Sequence, residues 1–153
     1  MIDDLLIEWN KISAKPYKTV TFTAHDRKGN VIYHTDCMMT LLHDHAVVCM
    51  TTLKNKKERK KLMLELSNPP LNSIPYQIME IDRLEIEGMC ANMFNLVDSQ
   101  GQNTVIMSDR ARRTYNPDRF EELQANYKVI VAKIDLIEHV GGGSTRCMLA
   151  EKF

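Results

Sequence analysis

Phe22-x3-Asp26-x2-Gly29-x-Val31-Ile32 and Phe94-x3-Asp98-x2-Gly101-x3-Val105-Ile106 are one phrase written twice. The offset is 72 residues for Phe, Asp and Gly, and 74 after a two-residue insertion in the turn. Each copy reads as a strand, a turn and a return strand. Asp opens the turn, and Gly supplies the positive φ that a tight hairpin needs. Around the first copy, Tyr17–Ala24 alternates Val20, Phe22 and Ala24 against Thr19, Thr21 and Thr23, a strand pattern. Val31–Met39 is its return strand, Ala46–Met50 a short apolar strand, and Lys54–Ser67 a helix closed by Pro69-Pro70. Tyr76–Ile81 is a further strand. After the second copy, Asn116-Pro117 caps a helix to Asn126, and Lys128–Ile134 follows as a strand. Both copies therefore read as ββαβ, the mark of a fold built from repeats that bury their faces on one another. Ahead of them, Asp3–Asn10 is a short helix with Trp9 on its buried face, closed by Pro16.

At 153 residues the chain is one domain by length. Twenty Lys+Arg balance twenty Asp+Glu, so the net charge is zero. That balance argues against a chain devoted to nucleic acid or an anionic membrane. No apolar run approaches the ~20 residues of a membrane span. The acidic start, Met1-Ile2-Asp3-Asp4, is unlike a secretory signal. Cysteines at 37, 49, 90 and 147 form no CxxC and no tight framework, which fits free thiols and a cytoplasmic location. The basic stretch Lys54–Lys61 lacks interleaved aromatics and reads as a solvated helix face. The ten methionines read as core filler.

Two stretches carry chemistry. In Gly141-Gly142-Gly143-Ser144-Thr145-Arg146-Cys147, the glycines permit close backbone approach or positive φ ahead of a thiol. The plain alternative is a loop before a small buried Cys on a short strand. In His34-Thr35-Asp36, the alternation of a strand puts His34 and Asp36 on one face, a candidate acid/base pair, the plain alternative being a strand end with two solvated polar residues. The repeat alignment sets this stretch against Met107–Arg110, at a strand end where repeats would focus side chains on one axis. His34, Cys37, His43 and His45 match no zinc spacing.

Together, His34–Met39 and Gly141–Glu151 resemble the C-terminal half of the pentein-superfamily enzymes that modify guanidino groups. The branch is that of arginine deiminase-related, amidinotransferase-like and citrulline hydrolase proteins. Supporting stretches are Ala46-Val47-Val48-Cys49, Ala91-Asn92-Met93 and Val105-Ile106-Met107-Ser108. The resemblance implies an α+β fold of ββαβ repeats in a five-fold ring (an α/β propeller), of which this chain holds about half. The units are expected near 17–81 and 92–134, with a terminal loop–Cys–strand over 139–153, in one partial domain over 1–153. It also implies that Cys147 attacks a guanidino or ureido carbon and that His34 moves protons. Asp36, Asn92, Arg146, Gly142 and Gly143 would bind an arginine-like substrate, and no metal or organic cofactor is required. Amidino transfer, or a non-catalytic remnant acting as an interaction domain, are the alternatives. The family's first half, with a further substrate carboxylate, is missing from this reading. A homo-oligomer or an N-terminal half would complete the ring. Cys37 and Cys90 stand where apolar or small residues are expected, and Ala91 where Gly is usual.

Overall fold

The computed structural model describes residues 2–13, 18–68 and 74–150. Two three-stranded sheets of identical topology dominate it. In the first, β1 (Met39–Leu41) pairs antiparallel with β2 (His45–Val48), which pairs parallel with β3 (Gln77–Glu80). In the second, β4 (Phe94–Val97) pairs antiparallel with β5 (Asn103–Ser108), which pairs parallel with β6 (Lys128–Ala132). Parallel neighbours need a crossover. Helix α2 (Lys56–Ser67) supplies the first, and α4 (Asp109–Thr114) with α5 (Pro117–Asn126) supplies the second. Two ββαβ units are thus present.

The repeated phrase does not mark equivalent places in those units. Both copies do form the same turn. Asp26 Oδ1 accepts the Asn30 N–H at 2.8 Å, and Asp98 Oδ1 accepts the Gln102 N–H at 3.0 Å. Gly29 and Gly101 take φ of +89° and +79°. Only the second turn joins two strands of a sheet. Around the first, the expected strands to Ala24 and from Val31 are replaced by irregular chain with isolated bridges Ala24–Leu53 and His25–Val31. The alternation still does packing work, because Val20, Phe22 and Ile32 rest against the core, but among the described residues no neighbouring strand completes a ladder. The unit's own first strands start at Met39 and Phe94, a shorter spacing than the phrase suggested. The alignment of His34 with the end of β5 falls with it.

Helix ends follow their caps. Asn55 accepts from the Lys57 N–H, so α2 starts two residues later than the composition suggests. It buries Leu62 and Leu66 and turns its lysines to solvent. It ends at Ser67, ahead of Pro69 and Pro70, which lie outside the described residues, as do Pro16 and Tyr17. Helix α1 (Ile2–Ile12) forms as expected, but Trp9 is 51% exposed, because periodicity defines an apolar face and not what covers it. Short helices escape the pattern reading: α3 (Arg83–Glu87), held by an Asp82/Glu85 capping box, α4, capped by Ser108, and the two that follow β6.

One core cluster crosses both units, joining Val47, Cys49, Met79 and Ile81 to Met93, Val105, Met107 and Leu123. Buried polar groups add cross-braces. His45 Nδ1 lies 3.0 Å from Tyr127 Oη, and Tyr127 donates to Asp44. Glu85 accepts from Arg119 at 2.6 Å and from the Asn116 N–H at 2.9 Å. Two short helices follow β6, α6 (Asp135–Gly141) and α7 (Thr145–Met148).

Candidate active site

His34 lies in extended backbone, not in a strand, at φ −136° and ψ 131°. It precedes a 3₁₀ turn, Thr35–Cys37, which feeds through fully buried Met38 into β1. The turn still brings His34 and Asp36 together: Nδ1 and Oδ1 are 2.5 Å apart. The same Oδ1 accepts from Cys37 Sγ at 3.8 Å. Burial, then the Asp36 carboxylate, push the Cys37 thiol up to about 11, so it stays protonated at neutral pH.

Cys147 arrives from the other unit, and on a helix instead of the expected strand. Gly142 ends α6 in the left-handed region (φ +73°), a conformation that favours glycine. Gly143 is needed for another reason. A Cβ there would stand 2.9 Å from Cys147 Cβ and 3.2 Å from its sulfur. The absence of a side chain at Gly143 therefore lets the loop fold onto the Cys147 side chain. Ser144 and Thr145 then vanish into the core. Ser144 Oγ donates to Glu138, and Thr145 Oγ1 donates to the carbonyls of Asn92 (2.7 Å) and Ile106 (3.2 Å). A four-residue helix is too short to be stable alone. Thr145 fixes it to the second sheet, and Ser144 to α6.

The two halves meet at the sulfur. Cys147 Sγ donates to Asp36 Oδ2 at 3.4 Å, across 111 residues of sequence. Asn92 Nδ2 donates to the same sulfur at 3.2 Å. Cys147 is exposed, whereas Cys49 and Cys90 are buried and their thiols are pushed up chiefly by desolvation. A cavity of about 550 Å³ opens beside the site, lined by β1, Met93, Asn95, His34, Asp36 and Arg146. A second, of about 470 Å³, is lined by Tyr33, Cys147, Leu149 and all three glycines of the loop, with His34, Asp36 and Arg146 shared between the two. So Cys147, His34, Asp36, Arg146, Gly142 and Gly143 all face one place. The Arg146 guanidinium sits 5.0 Å over the Phe94 ring. Asn92 differs. It is 1% exposed and lines neither cavity, and its amide is bonded at both ends inside the protein.

Sequence reasoning missed Thr145, Tyr33 and the contact of Cys37 with Asp36. The Ser144-Thr145 pair before the Cys was the available signal, since small hydroxyls bond backbone carbonyls readily. Among the described residues, no group of three or more His, Cys, Asp or Glu is placed to hold a metal ion. Nor is any helix among them long and apolar enough to cross a membrane.

Comparison with known proteins follows the same lines. Residues 7–153 match the family model for eukaryotic N,N dimethylarginine dimethylhydrolase. No curated protein matches the sequence. In structure the chain is similar to the apo form of ArgZ, an arginine dihydrolase from the ornithine-ammonia cycle in cyanobacteria. The TM-score is 0.58 at 16% identity, over 84% of this chain and 18% of that one. The likeness shows the fold, an α+β pentein architecture of which the chain spans a part.

Proposed function

The chain belongs to the eukaryotic N,N dimethylarginine dimethylhydrolase family, and on that premise we propose that it serves hydrolysis of a guanidino C–N bond in an arginine-like substrate. The observation that carries this reading is the convergence on one carboxylate. Asp36 touches the Cys147 sulfur with one oxygen and the His34 ring with the other.

The steps follow from that placement. Asp36 accepts from His34 Nδ1, fixing the ring and leaving Nε2 as its working nitrogen. Its charge also attracts a guanidinium to the sulfur. The Cys147 thiolate attacks the guanidino carbon, and the C=N electron pair moves onto nitrogen. Collapse expels one amine, which takes a proton from imidazolium His34 and leaves an S-alkylthiouronium. Water then adds to that carbon and loses its proton to His34. The C–S bond breaks as the remaining hydroxyl proton passes to solvent, the thiolate returns, and a neutral ureido product departs. Arg146, at the edge of both cavities, is placed to meet a substrate carboxylate.

The test is release of ammonia or a methylamine from arginine, dimethylarginine or citrulline, beside covalent labelling by a haloacetamidine. Turnover and labelling that both disappear in Cys147→Ala are expected. No turnover of any of the three, with Cys147 unlabelled, refutes the reading and leaves a non-catalytic domain.

A further inference from the structure

We propose that Asn92 is a catalytic residue of this site: its side-chain amide donates to Cys147 Sγ and stabilises the thiolate, and it does not grip substrate. The inference rests on the reading of Cys147 as the reactive thiol.

The orientation of the amide is forced. Asn92 Oδ1 lies 2.9 Å from the backbone nitrogen of Arg146. A backbone N–H can bond only the oxygen end of an amide, so the NH₂ end must face the sulfur, 3.2 Å away. The group is also rigidly placed. Asn92 follows a tight turn in which Met89 has φ +65°, and its neighbours Cys90, Ala91 and Met93 are fully buried. Its own carbonyl receives the Thr145 hydroxyl at 2.7 Å. One residue therefore anchors the nucleophile's helix through two acceptors and touches the reacting atom through a donor.

The sulfur sits between unlike partners. Asp36 Oδ2 is an acceptor and faces the S–H proton, whereas the Asn92 N–H faces a sulfur lone pair. When the proton leaves toward the Asp36–His34 pair, the negative charge that remains is repelled by Asp36. It keeps a charge-assisted hydrogen bond from Asn92. A neutral amide gives that bond at every working pH. The titratable and charged groups around the sulfur are Tyr33, His34, Asp36 and Cys37 from the loop before β1, and Arg146 from α7. A substitution at position 92 changes none of them.

The experiment measures iodoacetamide alkylation of Cys147 against pH in the full chain, with the labelled peptide identified by mass spectrometry. Asn92→Leu keeps a similar volume and adds no charge, but removes the donor to the sulfur. Its alkylation midpoint should rise by about one pH unit or more, a roughly tenfold loss of thiolate at neutral pH. A purely structural role leaves the midpoint of the folded variant unchanged, and that result overturns the proposal. The unaltered protein supplies a second reading. The ¹⁵N side-chain amide resonance of Asn92 should titrate with the midpoint of Cys147 alkylation, and an amide blind to that ionisation also overturns it. Should the amide track alkylation while no guanidino compound is turned over, this inference stands and the proposed hydrolysis falls. Turnover with an unmoved midpoint overturns the role of Asn92 and leaves the hydrolysis standing.

Discussion

Alanine placed in turn at Gly141, Gly142 and Gly143 gives three different expected outcomes within three residues. Gly141 is in the last turn of α6, and an added Cβ meets nothing within 4 Å. Gly141→Ala is expected to be neutral, or stabilising by up to about 1 kcal/mol, through the lower backbone entropy of alanine in the unfolded chain. Gly142 has equally open surroundings but φ +73°. The left-handed backbone costs an alanine about 1–2 kcal/mol, with no contact to the sulfur and little effect on chemistry. At Gly143 the new Cβ would lie 2.9 Å from Cys147 Cβ, where non-bonded carbons rest about 3.5–4.0 Å apart. The shortfall is roughly 1 Å, and Ser144 and Thr145 are bonded into the core, so the loop has little freedom to give way. Stability should fall by about 1–3 kcal/mol, and a displacement of that size costs about 10²-fold in rate. Each kcal/mol moves the melting temperature by about 2–4 °C in a domain of this size. Thermal melts and the alkylation rate of Cys147 together separate the three. If Gly143→Ala alkylates as fast as Gly142→Ala, close approach of the loop is not what positions the sulfur, and the reasoning fails.

Other outcomes follow from the buried braces and the thiols. Tyr127→Phe leaves buried His45 and the Asp44 N–H without the phenol and should cost about 1–3 kcal/mol by urea denaturation. The Tyr127 hydrogen bond is the first cause holding the Asp44 carboxyl below its usual value. A lowered folded value gives stability that is present above the unfolded value, near 3.9, and is lost as pH falls through the folded one. The stability gap between wild type and Tyr127→Phe should therefore be widest at neutral pH and narrow in that acid range; a gap that is flat with pH contradicts it. Glu85→Ala strands Arg119 and two backbone N–H groups, and should cost about 3–5 kcal/mol, against much less for Glu85→Gln. One equivalent of iodoacetamide near neutral pH should label Cys147 and spare Cys37, whose thiol ionises only near pH 11; equal labelling in a peptide digest refutes that assignment.

What was legible in the sequence was legible for local reasons. The Asp98–Gly101 turn, the cap at Asn116-Pro117 and the helix running to Ser67 are each written in neighbouring residues, and each is present, the last with its start two residues later than read. The first Asp-x2-Gly phrase is equally explicit, yet it encodes a turn and not the strands beside it. Strands are completed by a partner, and no residue in 17–39 says whether one is available. The site shows the same division. That His34 reaches Asp36 follows from two-residue spacing, and it survives even though the backbone is a 3₁₀ turn instead of a strand. That Asp36 reaches Cys147 depends on how two sheets pack; the resemblance to a known family assigned both residues to one substrate but implied no contact between them. Asn92 was expected at the substrate because it sits in a supporting stretch. Its burial, and the bonds that take both ends of its amide, belong to the third dimension alone.

The two halves of the site are held by unlike means, and this sets how each should respond to damage. The helix that carries Cys147 is fastened by Ser144, Thr145 and the Asn92 amide, all buried and tied to the second sheet and α6. Loss of any one strands a polar group away from water. His34 is largely exposed, and what orients it is one carboxylate on a three-residue turn. That turn hangs on fully buried Met38, whose carbonyl accepts the Cys49 N–H at 2.9 Å. The weaker hold is therefore on the His34 side, and Asp36 joins the two because it touches both. Repeat architecture accounts for where they meet. β1 and β4 are the first strands of their units and edge strands of their sheets, and residues on or beside both line the cavity of about 550 Å³. An edge strand leaves backbone groups unpaired, a liability in most folds. Here two such edges border the groove into which Asp36 and Arg146 project, so the position that a sheet protects least is the one where the residues of the proposed chemistry gather.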